Sequence, residues 1–315
     1  MAIVYIPQYS GEAARQYLIE RGYELIERSD KVCDTDALSV CDGIVARAVP
    51  LIGEEDLKKA PHLKVIGRYG VGVDNIDVEA CTRHGVQVTN APLSNYISVA
   101  EHAWMFIMEC AKNVTEVNEL FRGERHYFNA RNTNSGHDLF GKTVGILGLG
   151  RIGRRLAQMA SGFEMNIIAY DPYVSQEQAP DGVTMMPRDD VLKNSDFVSL
   201  HLPATPETRH SIGRAEFEMM KPTAYFINCA RGSIVDEAAL IDALQSGVIA
   251  GAGIDVYETE PPAADNPLLY MSNVVCTPHL AGATKEANDR MGLHAAQGVH
   301  EVLSGQKPTW PVNKI

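Results

Sequence analysis

The sequence has no apolar run long enough to cross a membrane. Its longest apolar stretch, residues 103–108, is far shorter than the roughly 20 residues that a spanning helix needs. The first residues, Met-Ala-Ile-Val-Tyr-Ile-Pro, lack the basic segment and the cleavage site of a secretory signal. We therefore expect no membrane partner and a cytoplasmic location.

Cysteine pairs at metal-binding or redox spacing are also missing. None of the six cysteines belongs to a C-x-x-C pair, which argues against a zinc site and against a redox dithiol. Unpaired thiols of this kind are typical of the reducing cytosol. We expect no bound metal and reduced thiols at Cys33, Cys41, Cys81, Cys110, Cys229 and Cys276.

Positive charge is in short supply as well. The chain has 28 Lys and Arg against 40 Asp and Glu, a formal net charge of −12. Proteins that bind nucleic acid need a basic face for the phosphates, so we expect no nucleic-acid partner. A small anionic ligand would instead need a local cluster of positive charge.

What the sequence does contain is a glycine-rich turn directly after a buried strand. Gly148, Gly150 and Gly153 form a G-x-G-x-x-G motif that follows the apolar run 143–147. The first glycine permits a tight turn, the second lets the backbone approach a pyrophosphate, and the third lets the helix pack closely. The helix N-terminus would face the phosphates with free N–H groups.

An acid at the end of the next strand completes the dinucleotide fingerprint. Asp171 follows Gly153 by eighteen residues, close to the spacing of the acid that binds the adenosine ribose hydroxyls. A G-x-G-x-x-G motif alone is weak evidence, since an ordinary turn can match it, but here both flanks fit. A carboxylate repels the 2′-phosphate of NADP, so the predicted cofactor is NAD.

Short apolar runs alternate with helical patterns along the whole chain, which predicts parallel sheets of the doubly wound α/β kind. Strand candidates lie at 2–6, 23–26, 43–47, 63–67, 86–88, 143–147, 166–170, 196–200, 224–228, 250–255 and 273–276. Helical patterns lie at 11–20, 54–59, 77–84, 152–161, 236–245 and 284–303.

The fingerprint lies in the middle of the chain, so a separate α/β unit precedes the cofactor domain. Ser98-Val-Ala-Glu101 matches a capping box and opens an apolar helix through Ala111. We predict a substrate domain at 1–97 plus 288–315 and a cofactor domain at 98–287. The polar stretch 121–140 is expected to leave the fold, either as an oligomer arm or as a surface loop.

Four polar clusters follow later strands, where ligands of open α/β sheets bind. They are Ser199–Thr208, Phe226–Gly232, Gly253–Glu260 and Cys276–Gly282. With Gly67–Asp77, they resemble the D-isomer-specific 2-hydroxyacid dehydrogenases over nearly the whole chain. The Gly67–Asp77 segment looks most like the 3-phosphoglycerate dehydrogenase branch. Val71 departs from members with a hydroxyl there, so a contact at this position would use backbone only.

The resemblance implies a Rossmann-type cofactor domain inserted into a flavodoxin-like substrate domain, and a homodimer formed through the cofactor domain. No regulatory domain is expected. It also implies a catalytic set of Arg231, Glu260 and His279. His279 would donate the proton, because its ordinary pKa lies near neutrality. Glu260 would orient the ring and favour its charged form, and Arg231 would bind the substrate carboxylate.

Each of these residues also has a purely structural alternative. Glu260 could be a solvated turn residue before two prolines, and His279 a structural histidine after a strand. Arg231 could cap the next helix, although Asp236 suits that N-cap better. We interpret four further histidines as helix residues without chemistry: His84, His102, His294 and His300.

The resemblance also implies the cofactor contacts. His201 would lie near the adenosine through its backbone, and Cys229 would be a small residue without a nucleophilic role. Asp255 resembles the residue that binds the nicotinamide amide, with an ordinary strand-end turn as the alternative. The full expected set is Gly148, Gly150, Arg151, Ile152, Gly153, Asp171, His201, Leu202, Pro203, Thr208, Cys229, Ala230, Arg231, Asp255, His279 and Gly282.

The first domain is expected to contribute to substrate binding. Backbone N–H groups of the turn at Gly70, Val71 and Gly72 can bind a carboxylate. Arg47 and Arg68 are the candidate cations, and either could equally be a surface residue. The expected substrate set is Arg47, Arg68, Tyr69, Gly70, Val71, Gly72, Arg231 and His279.

The sequence therefore predicts an NAD-dependent D-2-hydroxyacid dehydrogenase that acts on a small anionic 2-keto or 2-hydroxy acid. A 3-phosphoglycerate dehydrogenase-like activity is preferred, with hydroxypyruvate or glyoxylate reductase as the alternative within the class. An NAD(H)-sensing, corepressor-like interaction protein is the alternative from another class, because such proteins keep a similar Arg/Glu/His set.

Overall fold

The computed structural model of the protein describes residues 1–124 and 136–315. Its contacts divide the chain into two compact units. Unit 1 consists of Met1–Tyr96 and Gly282–Ile315, and unit 2 consists of Ile97–Ala281. The sequence predicts these boundaries after residue 97 and before residue 288.

Unit 1 is built on a five-stranded parallel sheet in the order β2-β1-β3-β4-β5, the order of flavodoxin-like folds. All four residues of its central strand β3 are buried, as expected of a parallel strand covered on both faces. The strands are β1 (Ile3–Ile6), β2 (Glu24–Glu27), β3 (Gly43–Ala46), β4 (Val65–Arg68) and β5 (Gln87–Thr89). The helices are α1 (Glu12–Ile19), α2 (Thr35–Val40), α3 (Glu54–Leu57), α4 (Val78–Arg83) and, near the C-terminus, α11 (Lys285–Leu303).

Helices cover both faces of this sheet. Two hydrophobic clusters result. Helices α2, α3 and α4 contribute Leu38, Leu57 and Ala80 to one cluster, and α1 and α11 contribute to the second. The segment after α11 returns to the sheet edge, where Pro311 forms an antiparallel bridge with Thr89. Asn313 secures it, because its Oδ1 accepts the backbone N–H of Val88 at 2.7 Å.

Unit 2 is built on a seven-stranded parallel sheet in the order β12-β11-β10-β9-β6-β7-β8. If the strands are numbered within unit 2 and the sheet is read from β8 to β12, the order is 3-2-1-4-5-6-7. Its first six strands have the Rossmann order 3-2-1-4-5-6. The strands are β6 (Thr143–Leu147), β7 (Asn166–Tyr170), β8 (Val183–Met185), β9 (Phe197–Leu200), β10 (Tyr225–Asn228), β11 (Gly251–Ile254) and β12 (Val274–Cys276). The helices are α5 (Tyr96–Lys112), α6 (Val114–Glu124), α7 (Arg151–Ser161), α8 (Arg188–Asn194), α9 (Arg214–Met219) and α10 (Glu237–Gln245).

The predicted fold class, two doubly wound parallel sheets, is confirmed, but several short elements were missed. Helix α6 continues to Glu124, so the first residues of the predicted excursion 121–140 are helical. Residues 125–135 of that excursion lie outside the described residues. Other missed elements include β8, α2, α8 and α9, all of three to seven residues, too short to show a periodic pattern. Three short 3-10 helices, at Gln176–Gln178, Gly232–Ile234 and Pro267–Tyr270, were missed as well.

Three general expectations concern thiols, metals and membranes. All six cysteines are free. Within residues 1–124 and 136–315, no group of three or more His, Cys, Asp or Glu side chains is arranged to hold a metal ion. In the same part of the chain, no helix combines the length and apolar character required to cross a membrane.

Candidate active site

The glycine-rich turn of unit 2 has the geometry that the sequence predicts. Gly148 follows β6 with φ of +100°, and a Cβ there would lie 2.5 Å from the carbonyl oxygen of His201. A Cβ on Gly153 would lie 2.2 Å from the Gly148 carbonyl oxygen, so helix α7 can approach the turn only with glycine there.

The start of helix α7 is suited to a dinucleotide pyrophosphate. Gly150 is its N-cap and provides no side-chain hydrogen bond, so the first N–H groups depend on an outside acceptor. A Cβ on Gly150 would meet no atom within 4 Å, so open space adjoins the backbone. Arg151 is exposed and Ile152 is partly buried against the core. The residues present therefore fit the predicted cofactor.

Asp171 is fixed beside this turn. Its Oδ2 accepts the backbone N–H of Leu149 at 2.8 Å, and its Oδ1 accepts that of Tyr173 at 2.9 Å. An ionised carboxylate has about four acceptor positions, so capacity remains for ribose hydroxyls.

The segment after β9 shows how the expected adenosine contacts are arranged. His201 Nε2 lies 2.9 Å from the Ser199 hydroxyl, while its Nδ1 is buried without a partner among the described residues. Burial lowers the pKa of His201 to about 3, so the ring is neutral. The Thr208 hydroxyl donates to the carbonyl of Pro203 at 2.7 Å and closes the loop 203–208, which directly follows Leu202.

The segment after β10 presents Arg231. The buried side chain of Asn228 accepts the N–H of Ala230 at 2.9 Å and donates to the carbonyl of Arg231 at 3.1 Å. Asn228 thus shapes the turn, a role that the sequence did not reveal. Burial raises the pKa of the Cys229 thiol well above its ordinary value, so the thiol stays protonated. Asp236, not Arg231, caps α10, since its carboxylate accepts the N–H of Ala239.

His279 and Glu260 form a close pair in unit 2. His279 Nδ1 lies 2.6 Å from Glu260 Oε2, and Glu260 Oε1 accepts the N–H of Tyr257 at 3.1 Å. Because an ionised carboxylate can only accept, Nδ1 carries a proton and Nε2 is the atom free to exchange one. The side chain of His279 is 49% exposed, so Nε2 is within reach of a substrate.

The pair favours its charged form. The hydrogen bond to Glu260 is the largest influence on His279 and raises its pKa, and the negative charge of Glu260 adds to this. Burial raises the pKa of Glu260, but three other groups outweigh burial, and the net pKa is lowered. These groups are His279, through its hydrogen bond and charge, the Tyr257 N–H, and the Arg231 guanidinium. A charged His279 can donate a proton.

Asp255 anchors the loop that carries His279. Its carboxylate is 1% exposed and accepts the backbone N–H groups of Leu280 and Ala281, both at 2.9 Å, and the Thr277 hydroxyl at 2.5 Å. Its backbone carbonyl accepts the N–H of His279 at 2.7 Å. His279 itself has a φ of +51°. The contact of Asp255 with nicotinamide stays a prediction.

Arg47 and Arg68, the candidate cations for substrate binding, lie at strand ends of unit 1. The Arg47 guanidinium lies 4.5 Å above the Tyr69 ring and donates to the carbonyl of Tyr9 at 2.8 Å. Arg68 Nε donates to Asn75 Oδ1 at 3.1 Å, and another of its nitrogens donates to the carbonyl of Tyr69.

The turn after Arg68 is held to the rest of unit 1 through its carbonyls. The Gly70 carbonyl accepts the N–H of Ala91 at 2.8 Å, and the Val71 carbonyl accepts from the Asn90 side chain at 2.8 Å. Gly72 is partly buried. Gly282, expected at the cofactor, belongs to unit 1, and a Cβ there would lie 2.8 Å from Asn95 Nδ2.

Comparison with protein families identifies the second unit. Residues 104–281 match the model described as "D-isomer specific 2-hydroxyacid dehydrogenase, NAD binding domain", which is more than half of the chain. The match contains the glycine-rich turn, Asp171 and all three predicted catalytic residues.

Curated relatives and a solved structure agree with this match. The chain is 45% identical over 285 residues to the D-3-phosphoglycerate dehydrogenase of Methanocaldococcus jannaschii, covering 89% of this chain and 52% of the relative. It is 44% identical over 271 residues to the enzyme of the same name from Mycobacterium leprae, covering 86% and 51%. The chain thus spans about half the length of the curated relatives it matches. A glyoxylate reductase structure from Paecilomyes thermophila matches with a TM-score of 0.88 and 27% identity, covering 99% of this chain and 98% of that one.

Replacing Glu260 with Gln should lower the pKa of His279, because the amide removes the negative charge that stabilises the charged ring. An NMR titration of the His279 ring measures this change. Glu258→Gln is the matched control, since that neighbouring carboxylate pairs with His210 at 2.6 Å instead. A His279 titration that is the same in the wild type and in Glu260→Gln would show that the pair is absent in solution.

Replacing Gly150 with Ala should weaken NADH binding by roughly tenfold or more without loss of stability, because the methyl group would occupy the space expected for the pyrophosphate. The backbone φ of −73° accepts alanine. NADH titration and thermal melting measure the two quantities. Gly53→Ala, at an equally open position of unit 1, is the control. Tight NADH binding by Gly150→Ala would exclude this phosphate site.

Proposed function

Because the chain belongs to the D-isomer specific 2-hydroxyacid dehydrogenase family, we propose that it is an NAD-dependent oxidoreductase that interconverts a D-2-hydroxy acid and a 2-keto acid. The observation that carries this proposal is the His279–Glu260 pair at 2.6 Å, in the same unit as the NAD fingerprint. A histidine of raised pKa with an exposed ring is what proton transfer to a keto oxygen requires.

The proposed chemistry divides between the cofactor and the protein. Bound NADH supplies the hydride that adds to the keto carbon. His279 donates the proton from Nε2 to the keto oxygen, and takes one back in the reverse direction. Glu260 holds Nδ1 and stabilises the charged ring before transfer. Arg231 binds the substrate carboxylate, for which its planar guanidinium is suited.

Residues of unit 2 would also hold NAD and reject NADP. The first N–H groups of α7 would bind the pyrophosphate, and Gly150 leaves space for it. The fixed carboxylate of Asp171 would accept the ribose hydroxyls and repel a 2′-phosphate.

The substrate that we propose is 3-phosphohydroxypyruvate in the direction of reduction, a 3-phosphoglycerate dehydrogenase-like activity. Support comes from the curated relatives of that name. Arg47 offers a cation for the phosphate, since the Tyr69 ring and the Tyr9 carbonyl that it contacts do not neutralise its charge. Reduction of glyoxylate or hydroxypyruvate is the second candidate, favoured by the similarity to a glyoxylate reductase.

A panel of keto acids tests the proposal through the loss of NADH absorbance. The wild type should prefer 3-phosphohydroxypyruvate to hydroxypyruvate and glyoxylate. His279→Ala should lower kcat by roughly 100-fold or more, with NADH binding little changed, as loss of a general acid should. Absence of turnover with every keto acid would instead favour a nucleotide-sensing interaction protein.

The same panel tests the phosphate contact. Arg47→Ala should raise the KM for 3-phosphohydroxypyruvate by about tenfold and that for glyoxylate far less, because only the first carries phosphate. Arg21→Ala is the matched control, since that guanidinium also lies over a tyrosine ring, 3.5 Å from the centroid of Tyr17. Equal effects on all substrates would exclude Arg47 as a phosphate ligand.

We also propose that the protein is a cytoplasmic homodimer that associates through unit 2. Its six free thiols support the cytoplasmic location, which cell fractionation tests.

Two exposed aromatic side chains support the dimer interface. Phe140 and Phe163, 69% and 45% exposed, line one surface hollow beside Met108. Phe140→Asp should yield a monomer in light scattering, whereas Tyr173→Asp, at a 90% exposed control position, should not. A monomeric wild type would exclude the dimer.

A further inference from the structure

Helix α5 brings one histidine to the carboxyl end of β11. Phe106 packs on Gly253, where a Cβ would lie 2.6 Å from the Phe106 side chain, so the helix approaches the strand closely. His102 lies one turn earlier on the same helix face and contacts Phe106 edge to face, with ring centroids 4.7 Å apart. This places the His102 ring beside Asp255, two residues after Gly253 in the chain.

His102 joins a partly buried network of hydrogen bonds that ends at the buried carboxylate of Asp255. Its Nε2 lies 3.0 Å from the Thr277 hydroxyl, which lies 2.5 Å from Asp255 Oδ1. The side chains of His102 and Asp255 are 12% and 1% exposed. No motif of the sequence indicates this hydrogen-bond network, and from the sequence His102 is expected to be a helix residue without chemistry.

The direction of each hydrogen bond follows from the carboxylate. Asp255 can only accept, so the Thr277 hydroxyl donates to it and uses its single proton. The hydroxyl must then accept from His102, so Nε2 carries the proton. Burial lowers the pKa of His102, which keeps the ring a neutral donor. A neutral donor suits this position, because a second charge would be costly to bury.

The hydrogen-bond network of His102, Thr277 and Asp255 ends on the loop that carries His279. The two carboxylate oxygens of Asp255 accept the N–H groups of Leu280 and Ala281, the residues directly after His279. A rotation of the Asp255 carboxylate would release both. Thr277 holds Oδ1 of Asp255, and His102 holds the Thr277 hydroxyl, so the two residues oppose that rotation.

We propose that His102 is a positioning residue, which holds the catalytic ring of His279 in place through Thr277 and Asp255. The inference rests on the proposed function for its kinetic consequence, while its structural part stands on the loop alone. The hydrogen bond of His102 goes to Thr277 and not to His279, so His102 would act only through its neighbours.

Amide hydrogen exchange tests the structural part without any substrate. His102→Leu removes the donor, and exchange at Leu280 and Ala281 should become about 3- to 10-fold faster, the effect of one lost hydrogen bond. His102→Gln keeps an N–H donor and should stay within about twofold of the wild type. His294→Leu removes another helix histidine, in unit 1, and should leave both amides unchanged.

Kinetics test the consequence for His279. His102→Leu should lower kcat for keto-acid reduction by about tenfold, because a displaced acid transfers its proton less well, while the KM for NADH changes less than about twofold. His102→Gln should restore most of the loss. If the wild type reduces no keto acid, the proposed function fails, and the exchange comparison still decides whether His102 holds the loop.

Two results would overturn the proposal. One is unchanged exchange and kcat in His102→Leu; the other is equal damage in His102→Gln and His102→Leu, which would assign the effect to packing of the ring. Circular dichroism and thermal melting establish that each variant folds. If His102→Leu does not fold, Thr277→Val replaces it, with Thr277→Ser as the variant that keeps the hydroxyl.

Discussion

A single buried carboxylate organises the candidate active site of unit 2. Asp255 accepts two backbone N–H groups and one hydroxyl from the loop between β12 and Ala281. A carboxylate that is 1% exposed is stable only when such donors surround it, so burial of Asp255 and the shape of the loop require each other. The loop in turn gives His279 the left-handed backbone from which its ring reaches Glu260.

The parallel sheet explains why so many functional groups meet in one unit. All strands of unit 2 run in the same direction, so their carboxyl ends share one edge. The turn at Gly148 permits a tight approach of two such ends, because its missing Cβ leaves room for the carbonyl of His201. Six of the seven strands are followed within three residues by one of Gly148, Asp171, His201, Arg231, Asp255 and Thr277.

Much of the fold could be predicted, and the reasons for failure are physical. Strands β6 and β7 were predicted to the residue, because long apolar runs fill a buried sheet centre. Strand β8 has one buried residue in three and gave no pattern. The Glu260–His279 contact followed from motifs, whereas the His102 contact depends on how α5 packs on Gly253, which is a tertiary event.

The pH dependence of keto-acid reduction by the wild type tests the central claim most directly, namely that Glu260 keeps His279 charged as the proton donor. The profile of kcat/KM reports the pKa of the essential acid in the free enzyme. Because the folded pKa of His279 is raised above 6.5, activity should persist through pH 6.5 and fall as pH rises through the higher value. Activity that falls at a pKa below 6.5, or that does not depend on pH in this range, would contradict the account.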